Sequence, residues 1–232
     1  MQQMSRIAAL AAMFLAGSLA QAQSFCSSDG QSRPVALLER FINADCDTCW
    51  SDTAATQPGR GELAIDWIVP GSKGEDAPLS AAASRDGLGR LAQLRRTPPE
   101  RHDSVRGKLS RPARNLRVAH GLPFNGYLGA SIELKAADPG PWSPWLALVE
   151  TIPAGTEGTP IERNLVRNVL QPAWNVRGPL SKLQQKGFLE SRPMSIPEGA
   201  KPDRLRVVGW VEDARGRIVA AAQSRCAGHR DQ

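Results

Sequence analysis

Two cysteines stand near the ends of this 232-residue chain, Cys26 and Cys226, and two more, Cys46 and Cys49, lie three positions apart. Four cysteines close at most two disulfides, and which ones close decides whether the ends are free or tied. The compartment decides whether they close at all. In the first 22 residues Arg6 precedes the apolar run Ile7 to Leu19 and a small-x-small site at Ala20-Gln21-Ala22, the layout of a secretory leader. That run is too short to cross a bilayer as a helix, so no membrane span is expected. No Arg-Arg pair stands before it, which points to export in the unfolded state. Cys26 follows Phe25 and is not placed as the lipid-bearing first residue of a lipoprotein. A periplasmic or secreted mature chain is expected, and there thiols pair.

Three pairings are formally possible. Only Cys26 with Cys226 and Cys46 with Cys49 puts the close pair at the start of a helix and lets the far pair join the two ends. The long bridge closes almost the whole chain, which the chain-entropy treatment values at roughly 5 kcal/mol as an upper figure. It reads as a structural staple.

With 41% hydrophobic and 22% charged residues the chain has the apolar mass for a packed core, while 18 Pro and 21 Gly predict frequent reversals and few long helices. Pro34 to Ile42 is an apolar run of strand length that ends in the polar turn Asn43-Ala44-Asp45, and Glu62 to Val69 is a second. Between them, Cys46 to Ala55 suits one to three helical turns and stops at Pro58-Gly59. A second helix fits Leu79 to Leu94, weakened by Gly87 and Gly89.

Further strands are expected over Asn115 to Ala119, Ala130 to Lys135 and Trp145 to Glu150. A final hairpin is expected from Leu205 to Val211 and from Arg217 to Ala222 around Asp213-Ala214-Arg215-Gly216. Ile161 to Leu170 is ambiguous on spacing alone. Trp142-Ser143-Pro144-Trp145 reads as core packing ahead of a sugar- or peptide-stacking platform.

From Arg85 to Arg117 nine arginines and Lys108 face only Asp86, Glu100 and Asp103. A dock for an anionic partner, such as a lipid head group or acidic protein, is one reading. A solvated connector is the preferred one, because no aromatics are interleaved as a nucleic-acid surface requires. No nucleic-acid partner is expected.

The chemistry sits at the C-x-x-C. Strand, turn and helix would place Cys46 at a helix start, where unpaired backbone N–H groups favour a thiolate. Such a thiolate attacks a substrate disulfide and Cys49 resolves the mixed disulfide, so Cys46 is the candidate nucleophile and Cys49 the resolver. Asp45 and Asp47 flank Cys46 and oppose its ionisation, which predicts a weak oxidant, a reductase-like role or an inert bridge. Protein thiols of the periplasm are the expected substrates, with no cofactor beyond an electron partner. The rival expectation is a non-catalytic envelope or binding module whose C-x-x-C disulfide is structural.

No metal site is expected: His102, His120 and His229 have no partner at zinc spacing and each reads as a surface residue. The chain has no G-x-S-x-G, H-E-x-x-H, G-x-x-x-x-G-K or complete G-x-G-x-x-G motif.

The run Val35 to Cys49 resembles the strand and C-x-x-C opening of a group of uncharacterised secreted bacterial proteins that pair a thioredoxin-like half with a β-rich half. Gly155-Thr156-Glu157-Gly158, Arg163-Asn164-Leu165-Val166-Arg167 and the hairpin from Val207 to Ala222 are similar to that group's later motifs. The resemblance implies an α/β, thioredoxin-like region over 23–114. It packs with an antiparallel, β-sandwich-like region over 115–232, and Ile161 to Leu170 becomes a strand. A thioredoxin-like site also calls for a cis-proline beside the disulfide. Thr97-Pro98 is the nearest candidate, although Pro99 to Asp103 does not read as the strand that should follow; Pro112 and Pro123 are alternatives.

Overall fold

Residues 26–110, 114–135, 140–174 and 187–226 are described by the structure, a computed structural model. The leader expected over 1–22, Pro112 and His229 lie outside the described residues. In chain order the elements are β1 (Cys26–Ser27), β2 (Ala36–Asn43), α1 (Asp47–Trp50), β3 (Glu62–Val69), α2 (Arg85–Gln93), β4 (His102–Lys108) and β5 (Asn115–His120). There follow β6 (Tyr127–Lys135), β7 (Ser143–Ile152), β8 (Arg163–Leu170), β9 (Phe188–Ser195), β10 (Leu205–Glu212), β11 (Ile218–Gln223) and β12 (Arg225–Cys226).

The strands form two sheets. Seven lie in the order β11-β10-β7-β8-β3-β2-β4 and five in the order β12-β1-β5-β6-β9. In the larger sheet β2 runs parallel to β3 over all eight residues, from Ala36 opposite Glu62 to Asn43 opposite Val69, and β3 is parallel to β8. All other pairings in it are antiparallel. The smaller sheet is antiparallel throughout.

This overturns the expected thioredoxin-like half. An α/β half needs helices long enough to cover the faces of its parallel strands, and the two α-helices described here have four and nine residues. The link from β2 to β3 makes one helical turn before Ser51 and continues without regular structure to Pro58-Gly59. The second helix reaches only Arg85–Gln93, with a separate 3-10 turn over Ser80–Ala82. Gly87, which weakened the expectation of a helix, is what lets this one sit down on the sheet: a Cβ there would lie 2.8 Å from Cγ1 of Val69.

Alternation sorts the buried residues by face. Leu37 and Phe41 of β2 with Leu63, Ile65 and Trp67 of β3 join Leu91 of α2 in one cluster, which continues through Trp145, Ala147 and Trp210. On the opposite face, Ile42, Ile68 and Leu165 pack with Cys46 and Cys49. The five-stranded sheet supplies Val118, Leu128, Ile132 and Leu134 to a third cluster with Leu146, Leu148 and Val207. Trp142 and Trp145 are buried, as core packing requires.

The stretch from Arg85 to Arg117 is not a solvated connector. It contains α2, all of β4 and the start of β5. Arg96 pairs with Asp103, Arg106 with Glu62 and Arg117 with Asp29. Arg90 is 1% exposed and lies between two carboxylates: Nη2 is 2.6 Å from Glu39 and 2.6 Å from Glu212. Its guanidinium carbon sits 5.0 Å from the ring of Trp145 and 5.5 Å from that of Trp210, and the two rings stack. Burial works against the Arg90 charge, yet Glu39 and Glu212 outweigh it and hold its pKa above the ordinary arginine value.

Candidate functional site around the C-x-x-C disulfide

The backbone turns out of β2 at Asn43, where Cys46 N–H donates to the Asn43 carbonyl, and Cys46 becomes the cap of the single turn α1. Cys46 and Cys49 are joined by a disulfide. Cys46, 9% exposed against 2% for Cys49, is the outer residue of this buried pair. Both pack on Ile42, Ala44, Ile68, Ala77, Ile152 and Leu165. A helix of four residues has too few aligned peptide dipoles for a helix-start field to govern the sulfur, so its electrostatics come from side chains.

Asp45 faces the following loop. Its carboxylate accepts from the backbone and hydroxyl of Ser72 at 2.7 and 2.8 Å and from the Lys73 N–H. Gly71 permits this approach, since a Cβ there would overlap the side chains of Asp45 and Asn43. Desolvation raises the Asp45 pKa, but the Ser72 and Lys73 hydrogen bonds prevail and hold it below the ordinary aspartate value. Asp47 is exposed. Thr48 Oγ1 lies 4.0 Å from Cys46 Sγ and accepts from Arg101 Nη2 at 3.3 Å.

Underneath lies a set of charges that sequence reasoning missed. Asp66, 0% exposed, accepts from Arg40 at 2.7 Å, from Arg163 at 3.3 Å and from the Asn164 N–H at 2.7 Å. Arg163 then reaches the end of α1, donating from Nη2 to the carbonyls of Cys49 and Trp50 at 3.2 and 3.0 Å. It satisfies acceptors that a one-turn helix cannot satisfy itself. Its guanidinium also lies 5.4 Å from the Trp50 ring, and Trp50 Nε1 donates to the Glu157 carbonyl at 2.8 Å. Burial lowers the Arg163 pKa and Arg40 adds to the fall, against the pull of Asp66. Two buried cations share one buried anion, and the half-buried Asp52 also acts on Arg163.

Three sequence segments therefore meet: Cys46 to Trp50, the turn at Glu157, and Arg163. A signal for the buried set existed. Glu39-Arg40 and Asp66 interrupt apolar strand runs, and a charge at the centre of a covered strand requires a partner.

Cys26 and Cys226 form the second disulfide, across directly opposed residues of β1 and β12. His120 departs from the expected surface location: it is 4% exposed and stands opposite Cys26 on the other neighbour, β5. His102 is exposed, 3.6 Å from Asp52. The cis X-Pro bond among the described residues is Gly140–Pro141, so neither Thr97–Pro98 nor Leu122–Pro123 supplies a cis-proline beside Cys46. Pro99 to Arg101 form no strand, and β4 begins only at His102, so of the segment expected not to be a strand the last two residues join one.

No helix among the described residues is long and apolar enough to cross a membrane. The two disulfides are compatible with an oxidising, extracellular compartment. No family model, curated protein or solved structure matches the chain.

Proposed function

We propose that this protein exchanges disulfides with protein thiols of the periplasm, through Cys46 as the attacked and attacking sulfur and Cys49 as the resolver. The observation that carries the reading is the environment of the Cys46 sulfur. Thr48 Oγ1 accepts from Arg101, which leaves its own proton free to be donated to a Cys46 thiolate 4.0 Å away. Arg163, whose guanidinium donates to the Cys49 and Trp50 carbonyls, acts in the same direction, because a nearby cation favours a thiolate. In the exchange, a substrate thiolate attacks Cys46 Sγ, the Cys46–Cys49 bond breaks, and Cys49 leaves as the thiolate. A second substrate thiolate then releases Cys46, and the substrate departs oxidised; in the reverse direction the Cys46 thiolate attacks a substrate disulfide and Cys49 resolves the mixed disulfide, so the substrate departs as a dithiol.

One observation favours a second reading, a permanent structural bridge: Cys49 is 2% exposed and both sulfurs are packed among aliphatic side chains. The reduction potential separates the two. An exchange protein is expected between about −270 and −120 mV, with Cys46 alkylated before Cys49 after mild reduction and a mixed disulfide trapped by Cys49→Ala. A potential below about −300 mV assigns the pair to the structural reading.

A further inference from the structure

The second disulfide carries an arrangement that a staple does not need. Cys226, Cys26 and His120 are directly opposed residues of three adjacent strands, β12, β1 and β5. Directly opposed residues share a sheet face, and the two sulfurs and a ring nitrogen all lie within 4.8 Å of one another. His120 Nδ1 is 2.9 Å from the carbonyl of Gly121. A carbonyl only accepts, so Nδ1 carries the proton. The other nitrogen, Nε2, is buried and has no hydrogen-bond partner. Were Nε2 protonated as well, a cation would be buried there with an unsatisfied donor, a costly state. The neutral ring therefore keeps a bare, buried lone pair at Nε2 on a side chain with a nitrogen within 4.8 Å of both sulfurs, and its Nδ1–H is held by a backbone carbonyl, as metal-ligating histidines are held.

We propose that Cys26, Cys226 and His120 form a redox-gated zinc(II) site, closed while the disulfide is intact and opened by its two-electron reduction. A dithiol delivers two electrons and two protons: the Cys26–Cys226 bond breaks, two thiols form, and the dithiol leaves as its own disulfide. Zinc then displaces both thiol protons to solvent and takes the Nε2 lone pair with no proton released.

Thiolate sulfurs on a tetrahedral zinc lie about 3.8 Å apart, given Zn–S distances near 2.3 Å. The sulfurs need separate only that far after reduction, within the space the three ligand atoms already span. Two thiolates cancel the charge of a divalent ion, so the complex is neutral where Cys26 and His120 are buried. Cys226 is only half-buried and gives the reductant and the ion their approach.

The test uses the full chain, reduced with a phosphine, desalted without oxygen and titrated with cobalt(II) as a spectroscopic probe, then with zinc(II) against a chromophoric chelator. The reduced protein is expected to show a thiolate-to-cobalt charge-transfer band, displaced by zinc, and the oxidised protein none. Cys46→Ser/Cys49→Ser should retain the band. His120→Gln, first shown by circular dichroism to fold in its oxidised form, should weaken zinc binding by about tenfold or more. Unchanged binding in His120→Gln overturns the proposal. So does loss of all binding in Cys46→Ser/Cys49→Ser, which would assign the ion to the other cysteine pair.

Discussion

Two clusters of buried charge lie on opposite faces of the seven-stranded sheet, and they are built with opposite signs. On one face Arg90 is held by two carboxylates, Glu39 and Glu212, under a stacked tryptophan pair. On the other, Asp66 is held by two guanidiniums, Arg40 and Arg163. The first has one more negative charge than positive, closes on itself, and uses Trp67 Nε1 to satisfy Glu39. The second has one more positive charge than negative among its fully buried groups, and its Arg163 donates to the carbonyls of Cys49 and Trp50. Adjacent residues of β2, Glu39 and Arg40, serve one cluster each. The period of a strand thus sends neighbouring charges to different layers, one that fastens α2 to the sheet and one that supports the cysteines.

The comparison is broken most severely at Arg90. Arg90→Met leaves Glu39 and Glu212 buried with no cation, and a loss of about 3–5 kcal/mol is expected in urea unfolding. A loss below about 1 kcal/mol would mean that the carboxylates find water, and that this cluster is not a closed one.

Arg163→Gln sharpens the other side. It removes the cation that donates to the Cys49 carbonyl, so the reduced, thiolate-bearing state should lose stability. If the guanidinium is worth about one pKa unit to the thiolate, the Cys46–Cys49 potential falls by about 30 mV and the Cys46 thiol pKa rises by about one unit. An unmoved potential would show that the charge stops at the helix carbonyls.

The smallest effect concerns Asp45. Its folded pKa lies below the ordinary aspartate value, so its stabilising contribution is present above that value and is lost as the pH falls through the folded pKa. Asp29, Glu157 and Asp213 are depressed too and act in the same window. Asp45→Asn should therefore flatten the stability profile only below about pH 4. Equal profiles for the variant and the parent protein would show that the Ser72 and Lys73 bonds survive protonation.

How much of this was legible beforehand depends on what each element buries. Glu62 to Val69 was readable as a strand because it is covered on both faces and therefore nearly continuously apolar. The strand β4 was not: it is the edge of its sheet, and His102-Asp103-Ser104-Val105-Arg106-Gly107-Lys108 contains one large apolar residue. Pro193 hid β9 in the same way, since a proline is tolerated on an edge strand such as this one. At the site, the cysteine pairs and the Asp45 turn were visible as spacing. Arg163 and the Thr48–Arg101 contact were not, because their roles come from partners far along the chain, and Asp66 stood out only as a charge inside an apolar run.

The sequence by itself determined the covered strands, the final hairpin and the two cysteine pairs, because apolar period, turn residues and thiol spacing act over a few positions. The tertiary structure alone decided that the parallel strands β2, β3 and β8 share a sheet with the antiparallel strands of the C-terminal region. It also decided that Arg90 is buried, and that His120 and Arg163 stand beside the two disulfides. Those outcomes depend on which charges and faces meet across separations of 51 to 122 residues. A buried charge is tolerable only where the folded chain delivers its counter-charge, and no short window of sequence contains both.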